Sequence, residues 1–91
     1  MITKTGAEMI AQSDKLPKLR TLDLCSNKIG DAGFISIIQS ENYTKLTDLR
    51  IDTNGIEEAG AQQLTFGCNL VSLTNLKARN NDFKTKGCQY V

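Results

Sequence analysis

Apolar residues along this chain follow two alternating rhythms. In "LRTLDL", residues 19–24, Leu22 and Leu24 stand either side of one polar residue, the period of two that a strand shows. In "DAGFISIIQS", residues 31–40, Phe34, Ile37 and Ile38 fall at helical spacing. The pair of rhythms returns after 27 residues, and whole columns return with it. Leu19, Leu46 and Leu73 share one column, Leu22, Leu49 and Leu76 the next, then Leu24, Ile51 and Ala78, and then Ile29, Ile56 and Phe83. Asn27, Asn54 and Asn81 form a polar column between them. Gly6, Gly33, Gly60 and Gly87 form another, followed by Ile10, Ile37, Leu64 and Val91.

Each unit therefore reads as a short strand, a turn and a helix. A unit of 27 residues cannot bury its own apolar face, so neighbours stack, share a core and lay their strands parallel. The pattern predicts strands near 21–25, 48–52 and 75–79 and helices near 5–13, 31–40, 58–66 and 85–91. The expected core is Leu19, Leu22, Leu24, Ile29, Phe34, Ile37, Ile38, Leu46, Leu49, Ile51, Ile56, Leu64, Leu73, Leu76 and Phe83. A chain leaving a strand by a sharp turn strands backbone N–H and C=O groups inside the turn. An asparagine beneath it carries one acceptor and two donors to satisfy them, so the Asn27, Asn54 and Asn81 column predicts a structural ladder. The recurring glycines predict close approach between helix start and strand layer.

The stretches "LRTLDLCSNKIGDAG", "LTDLRIDTNGIEEAG" and "LTNLKARNNDFKTKG" each resemble the leucine-rich repeat pattern LxxLxLxxNxL. The period and the trailing GxxxL are similar to the ribonuclease-inhibitor-like subclass. Ala78 departs from the pattern, which wants Leu or Ile there. The resemblance implies an α/β fold, a right-handed solenoid with parallel strands on a concave face and helices on a convex one. One domain, 1–91, divides into a half repeat 1–15 and repeats 16–42, 43–69 and 70–91, the last incomplete. With no capping segment at either end, the expectation is a segment of a longer solenoid, or a small protein whose uncapped ends self-associate. The resemblance also implies a recognition scaffold, as in inhibitors, innate-immune sensors, small-GTPase regulators and secreted bacterial effectors. The alternative is a structural spacer inside a larger repeat protein.

Composition narrows the chemistry. Histidine is absent, which removes Ser–His and Cys–His pairs, and no Gly-rich phosphate loop occurs, so no enzyme and no cofactor are expected. Cys25, Cys68 and Cys88 are widely spaced and form no metal-binding pattern; Cys68 and Cys88 read as core fillers. Glu57 and Glu58 suit the positive end of a helix dipole, and Lys84 and Lys86 read as a solvated edge. A net charge of +1 gives no reason for a nucleic-acid partner, and no apolar run has membrane length, so a cytoplasmic protein with a protein partner is the default expectation. Alternation turns Thr21, Asp23, Cys25, Asp48, Arg50, Asp52, Asn75, Lys77 and Arg79 outward. Lateral rows then read Asp23, Arg50, Lys77 and Cys25, Asp52, Arg79, acidic at one end and basic at the other. Asp23, Cys25, Asp48, Arg50, Asp52, Asn75, Lys77 and Arg79 are the candidate partner-binding residues. Cys25, beside Asp23 on the exposed face, reads as a partner-contact or incidental position; the disfavoured alternative is a reactive thiol, for which Arg50 and Arg79 would supply positive potential.

Overall fold

Three strand–helix alternations organise the computed structural model, which describes residues 1–81. The order is α1 (Lys4–Gln12), β1 (Thr21–Asp23), α2 (Gly30–Ile38), β2 (Asp48–Arg50), α3 (Glu58–Phe66) and β3 (Asn75–Lys77). The expected helix at 85–91, and with it Phe83, Lys84, Lys86, Gly87, Cys88 and Val91, lies outside the described residues. The strands pair in the order β1-β2-β3, all parallel, in an open sheet. Each helix packs on the next, and the apolar residues of both rows join in one cluster, Leu24, Leu49 and Ile51 from the strand row with Phe34, Ile37 and Ile38 from the helices. The register is that of the 27-residue offset: Leu22 opposes Leu49, which opposes Leu76. A slip of one residue would turn those leucines to solvent, so the apolar columns themselves hold the register.

The strands are three residues long where five were expected. Hydrogen bonding continues past them, with Leu24 N–H donating to the Arg50 carbonyl and Ser26 N–H to that of Asp52, both at 2.8 Å. The backbone meanwhile begins its turn at Cys25. Helix α2 ends at Ile38 instead of near 40 because Ser40 leaves the helix to donate its hydroxyl to the Ala11 carbonyl at 2.6 Å. Asn42 donates to the same carbonyl at 2.9 Å, and the Tyr43 hydroxyl donates to that of Ile10. Together they serve the Ile10 and Ala11 carbonyls in the last turn of α1, the first of which also accepts Ser13 N–H. One unit later Asn69 serves Ile38 and Gln39, its N–H and side-chain amide each donating at 2.7 Å.

The middle unit is the best buried. Leu46, Leu49, Ile51 and Ile56 are inaccessible, whereas Leu19, Leu22 and Leu73, all expected in the core, are half-buried against it. The difference follows from neighbours: β2 is flanked by a strand on each side, and β1 and β3 by one each among the described residues. Ala7, Ala11, Tyr43, Ala61 and Leu70 join the core without having been expected there. Each fully buried Leu or Ile contributes about 1.5–3 kcal/mol relative to exposure.

The asparagine column forms the expected ladder. Asn54 is buried, and its amide donates to the carbonyls of Ile51 and Asp52 in its own turn and of Leu24 in the unit before, at 3.0, 3.1 and 2.8 Å. Its oxygen accepts from Ile29 N–H at 3.4 Å. Asn81 repeats this, donating to Ala78, Arg79 and Ile51 and accepting from Asn54 N–H and Ile56 N–H. Asn27 donates to Leu24 and Cys25 and accepts from Ile2 N–H. Just before each asparagine stands a left-handed residue, Ser26, Thr53 and Asn80 at φ 61°, 56° and 56°. The glycines permit a close approach, but between neighbouring helices and not between helix start and strand layer as expected: a Cβ on Gly60 would lie 2.7 Å from Ile56 Cγ2 and 2.8 Å from Asp31 Oδ1 of α2, and one on Gly33 would lie 3.1 Å from Ala7 Cβ of α1. Asp31 reaches across from α2 to accept the N–H groups of Glu57 and Gly60, capping the start of α3 from the neighbouring unit.

Candidate functional site

The strand row supplies the candidate face. Its registers bring Thr21, Asp48 and Asn75 into one lateral row and Asp23, Arg50 and Lys77 into the next. The third row, Cys25, Asp52 and Arg79, lies where the strands give way to turns. Thr21, Asp23, Asn75, Lys77 and Arg79 are exposed, and Cys25, Asp48, Arg50 and Asp52 half-buried, so the nine predicted positions do share a solvent-facing surface.

Charge on this face is not symmetrical in its engagements. The Asp23 carboxylate accepts Cys25 N–H at 3.0 Å, and this bond, with a further one from the thiol and the nearby Arg50 charge, holds its pKa below the usual value. The Asp52 carboxylate accepts Arg79 N–H at 2.6 Å, across the strand boundary. Arg50, in the central row of the central strand, has a buried Nε with no hydrogen-bond partner among the described residues. Alternation correctly turned Arg50 outward but gave no sign that its Nε would be buried, since that depends on packing between adjacent rows.

The surroundings of Cys25 do not fit the reactive-thiol alternative. Partial burial pushes its thiol pKa up, and the Asp23 and Asp52 carboxylates raise it further, so acidic groups dominate its surroundings. Such a thiol is a poor nucleophile at neutral pH. Cys68 is half-buried against the core.

Other concavities offer little chemistry. A cleft of about 480 Å³ is lined by Asn27, Lys28, Gly30, Thr53, Asn54 and Gly55, where the asparagine amides are committed to the ladder. An apolar pocket of about 130 Å³ lies among Leu64, Cys68, Leu70, Leu73 and Leu76. Among the described residues no group of three or more His, Cys, Asp or Glu side chains is placed to hold a metal ion, and no helix is long and apolar enough to cross a membrane.

A family model described as a leucine-rich repeat matches residues 15–37. The match supports a leucine-rich repeat protein. The matched leucine-rich repeat runs through β1, the Asn27 turn and most of α2, and its 27-residue offset carries the same columns into the two units that follow. Leucine-rich repeats generally mediate protein–protein interaction and are typically not enzymes. Nothing among curated proteins or solved structures matches the chain.

Proposed function

We propose that the strand face of the stacked units is a protein-recognition surface, formed by Asp23, Cys25, Asp48, Arg50, Asp52, Asn75, Lys77 and Arg79. One observation carries this reading. Columns that repeat from unit to unit occupy the core and the turns, whereas positions whose side chains change, Asp23 to Arg50 to Lys77 among them, sit side by side on the solvent-facing surface. A scaffold whose buried columns fix the fold leaves the exposed rows open to vary with a partner. In this reading the units are turns of a right-handed solenoid of the ribonuclease-inhibitor-like subclass, with the strand face concave. The partner is a protein, not nucleic acid or membrane, the setting is cytoplasmic, and the role is binding without catalysis. Self-association through the stack ends belongs to the same reading and is supported by β1, which has no strand on its outer side among the described residues.

A photo-crosslinking amino acid placed singly at Asp48 and Asn75 on the strand face, and at Ala32 and Ala59 on exposed helix positions, tests the proposal in cells that express the protein. Crosslinks to another protein from the first pair alone are expected. Crosslinks from the helix positions alone would overturn the reading, and none from either pair would favour the spacer alternative.

A further inference from the structure

Two of the three carboxylates on the strand face already serve the scaffold, Asp23 through Cys25 N–H and Asp52 through Arg79 N–H. The cations do not. Among the described residues no hydrogen bond engages the side chain of Arg50, Lys77 or Arg79, and Arg50 Nε is the buried side-chain polar atom left without a partner. Arg50 stands at the centre of the face, between Asp23 on one neighbouring strand and Lys77 on the other. A buried N–H without an acceptor costs free energy until an acceptor arrives.

We propose that Arg50 is the anchor for a carboxylate carried by an acidic segment of a protein partner, with Lys77 and Arg79 flanking it. The proposal rests on the reading of the strand face as a recognition surface and names the chemistry that surface takes. The Nε–H and one terminal N–H of a guanidinium form a parallel fork that matches the two oxygens of a carboxylate. The long, flexible arginine stem allows the head group to turn toward an arriving acid. Lys77 and Arg79, one strand away at the ordinary interstrand spacing of about 4.8 Å, attract further acidic residues of the same segment. A protein segment is favoured over a phosphodiester strand because leucine-rich repeats, one of which matches residues 15–37, generally mediate protein–protein interaction.

The arginine Nε–Hε resonances of the full-length, nitrogen-15-labelled chain report this directly. Hexaglutamate is the probe, hexaglutamine the uncharged control and a ten-nucleotide oligothymidylate the competing polyanion, all at low ionic strength, where surface attraction is least screened. The Arg50 signal, assigned by its loss in Arg50→Gln, is expected to shift and saturate with hexaglutamate and to stay put with hexaglutamine. Arg50→Gln is expected to weaken hexaglutamate binding about tenfold, the loss of one charge-assisted hydrogen-bonded contact. Arg50→Lys, which keeps the charge and loses the fork, should recover only part of it. Arg20→Gln, an exposed arginine outside the rows, should change nothing. An unmoved Arg50 signal, or equal weakening by Arg50→Gln and Arg20→Gln, would overturn the proposal, as would tighter binding of oligothymidylate. Backbone shifts confined to α1–α3 would sink the strand-face reading as well, whereas shifts across the strand rows indifferent to Arg50→Gln would sink the anchor alone.

Discussion

The two margins of the strand row follow opposite rules. At the exit turns the same arrangement recurs three times: a left-handed residue, an asparagine, and an amide spent on carbonyls of its own turn, with those of Asn54 and Asn81 reaching into the preceding unit as well. Across the outward rows the side chain changes at every step, from Asp23 to Arg50 to Lys77, and a buried guanidinium nitrogen has no acceptor among the described residues. In a stack of like units, a position that every neighbour needs cannot vary, because its hydrogen bonds are shared between units. A position that faces solvent is less constrained: Asp52 accepts Arg79 N–H from the next unit, yet its row still changes residue at every step.

The contrast can be broken hardest at the central asparagine. Asn54→Ala removes one donor from the carbonyls of Leu24, Ile51 and Asp52, which keep Asn27, Asn81 and Ser26 as donors, and leaves the buried Ile29 N–H without its acceptor, at a cost of roughly 3 kcal/mol for four lost bonds and one orphaned group. Asn27→Ala, half-buried, with an amide that donates within its own turn only and an oxygen that accepts Ile2 N–H, should cost about half as much. Urea unfolding of the two variants measures both, and equal losses would show that the reach of the Asn54 amide into the preceding unit adds nothing.

A smaller loss is expected at another recurring column. Gly60→Ala drives a methyl group against Ile56 Cγ2 at 2.7 Å, Asp31 Oδ1 at 2.8 Å and Phe34 Cδ2 at 3.1 Å. Overpacking of that kind costs about 1–3 kcal/mol. Asp31 must also shift from the amides it caps, so thermal unfolding should show a lowered midpoint; an unchanged one would mean that the helix row yields freely.

The smallest effect has the opposite sign. Thr53 is β-branched yet holds φ at 56°, while Asn80 holds the same angle in the same column with a side chain that tolerates it. Thr53→Asn should stabilise the protein by up to about 1 kcal/mol in the same urea assay. A loss instead would show that the threonine hydroxyl, which accepts from the Asn80 amide at 3.4 Å, matters more than the backbone angle.

These columns also mark how far the sequence could be read. The parallel order and the Asn27, Asn54 and Asn81 ladder were legible because each follows from repeated residue types at a fixed offset. Asn42 and Asn69 stand at that offset too, and the signal for their helix-capping role was present but unused. The left-handed column was hidden because Ser26, Thr53 and Asn80 share a backbone angle and not a residue type. Tyr43 was hidden because the other members of its column are Leu16, half exposed, and Leu70, buried, so no common chemistry announces a core position. On the face, alternation gave the rows but not the engagements. Which carboxylate bends back to an amide and which nitrogen is covered are settled by contacts between units, which have no period to read.

The shared ladder has a consequence for how such a chain tolerates insertion and deletion. Because Asn54 joins its own turn to the carbonyl of Leu24, thirty residues earlier, a single residue gained or lost between them would put the wrong backbone group opposite the amide and turn one apolar column toward water. A gain or loss of 27 residues restores every partner at once. For this molecule the small indel is the drastic mutation and the large one the conservative one, so lineages of it should differ in length by whole units.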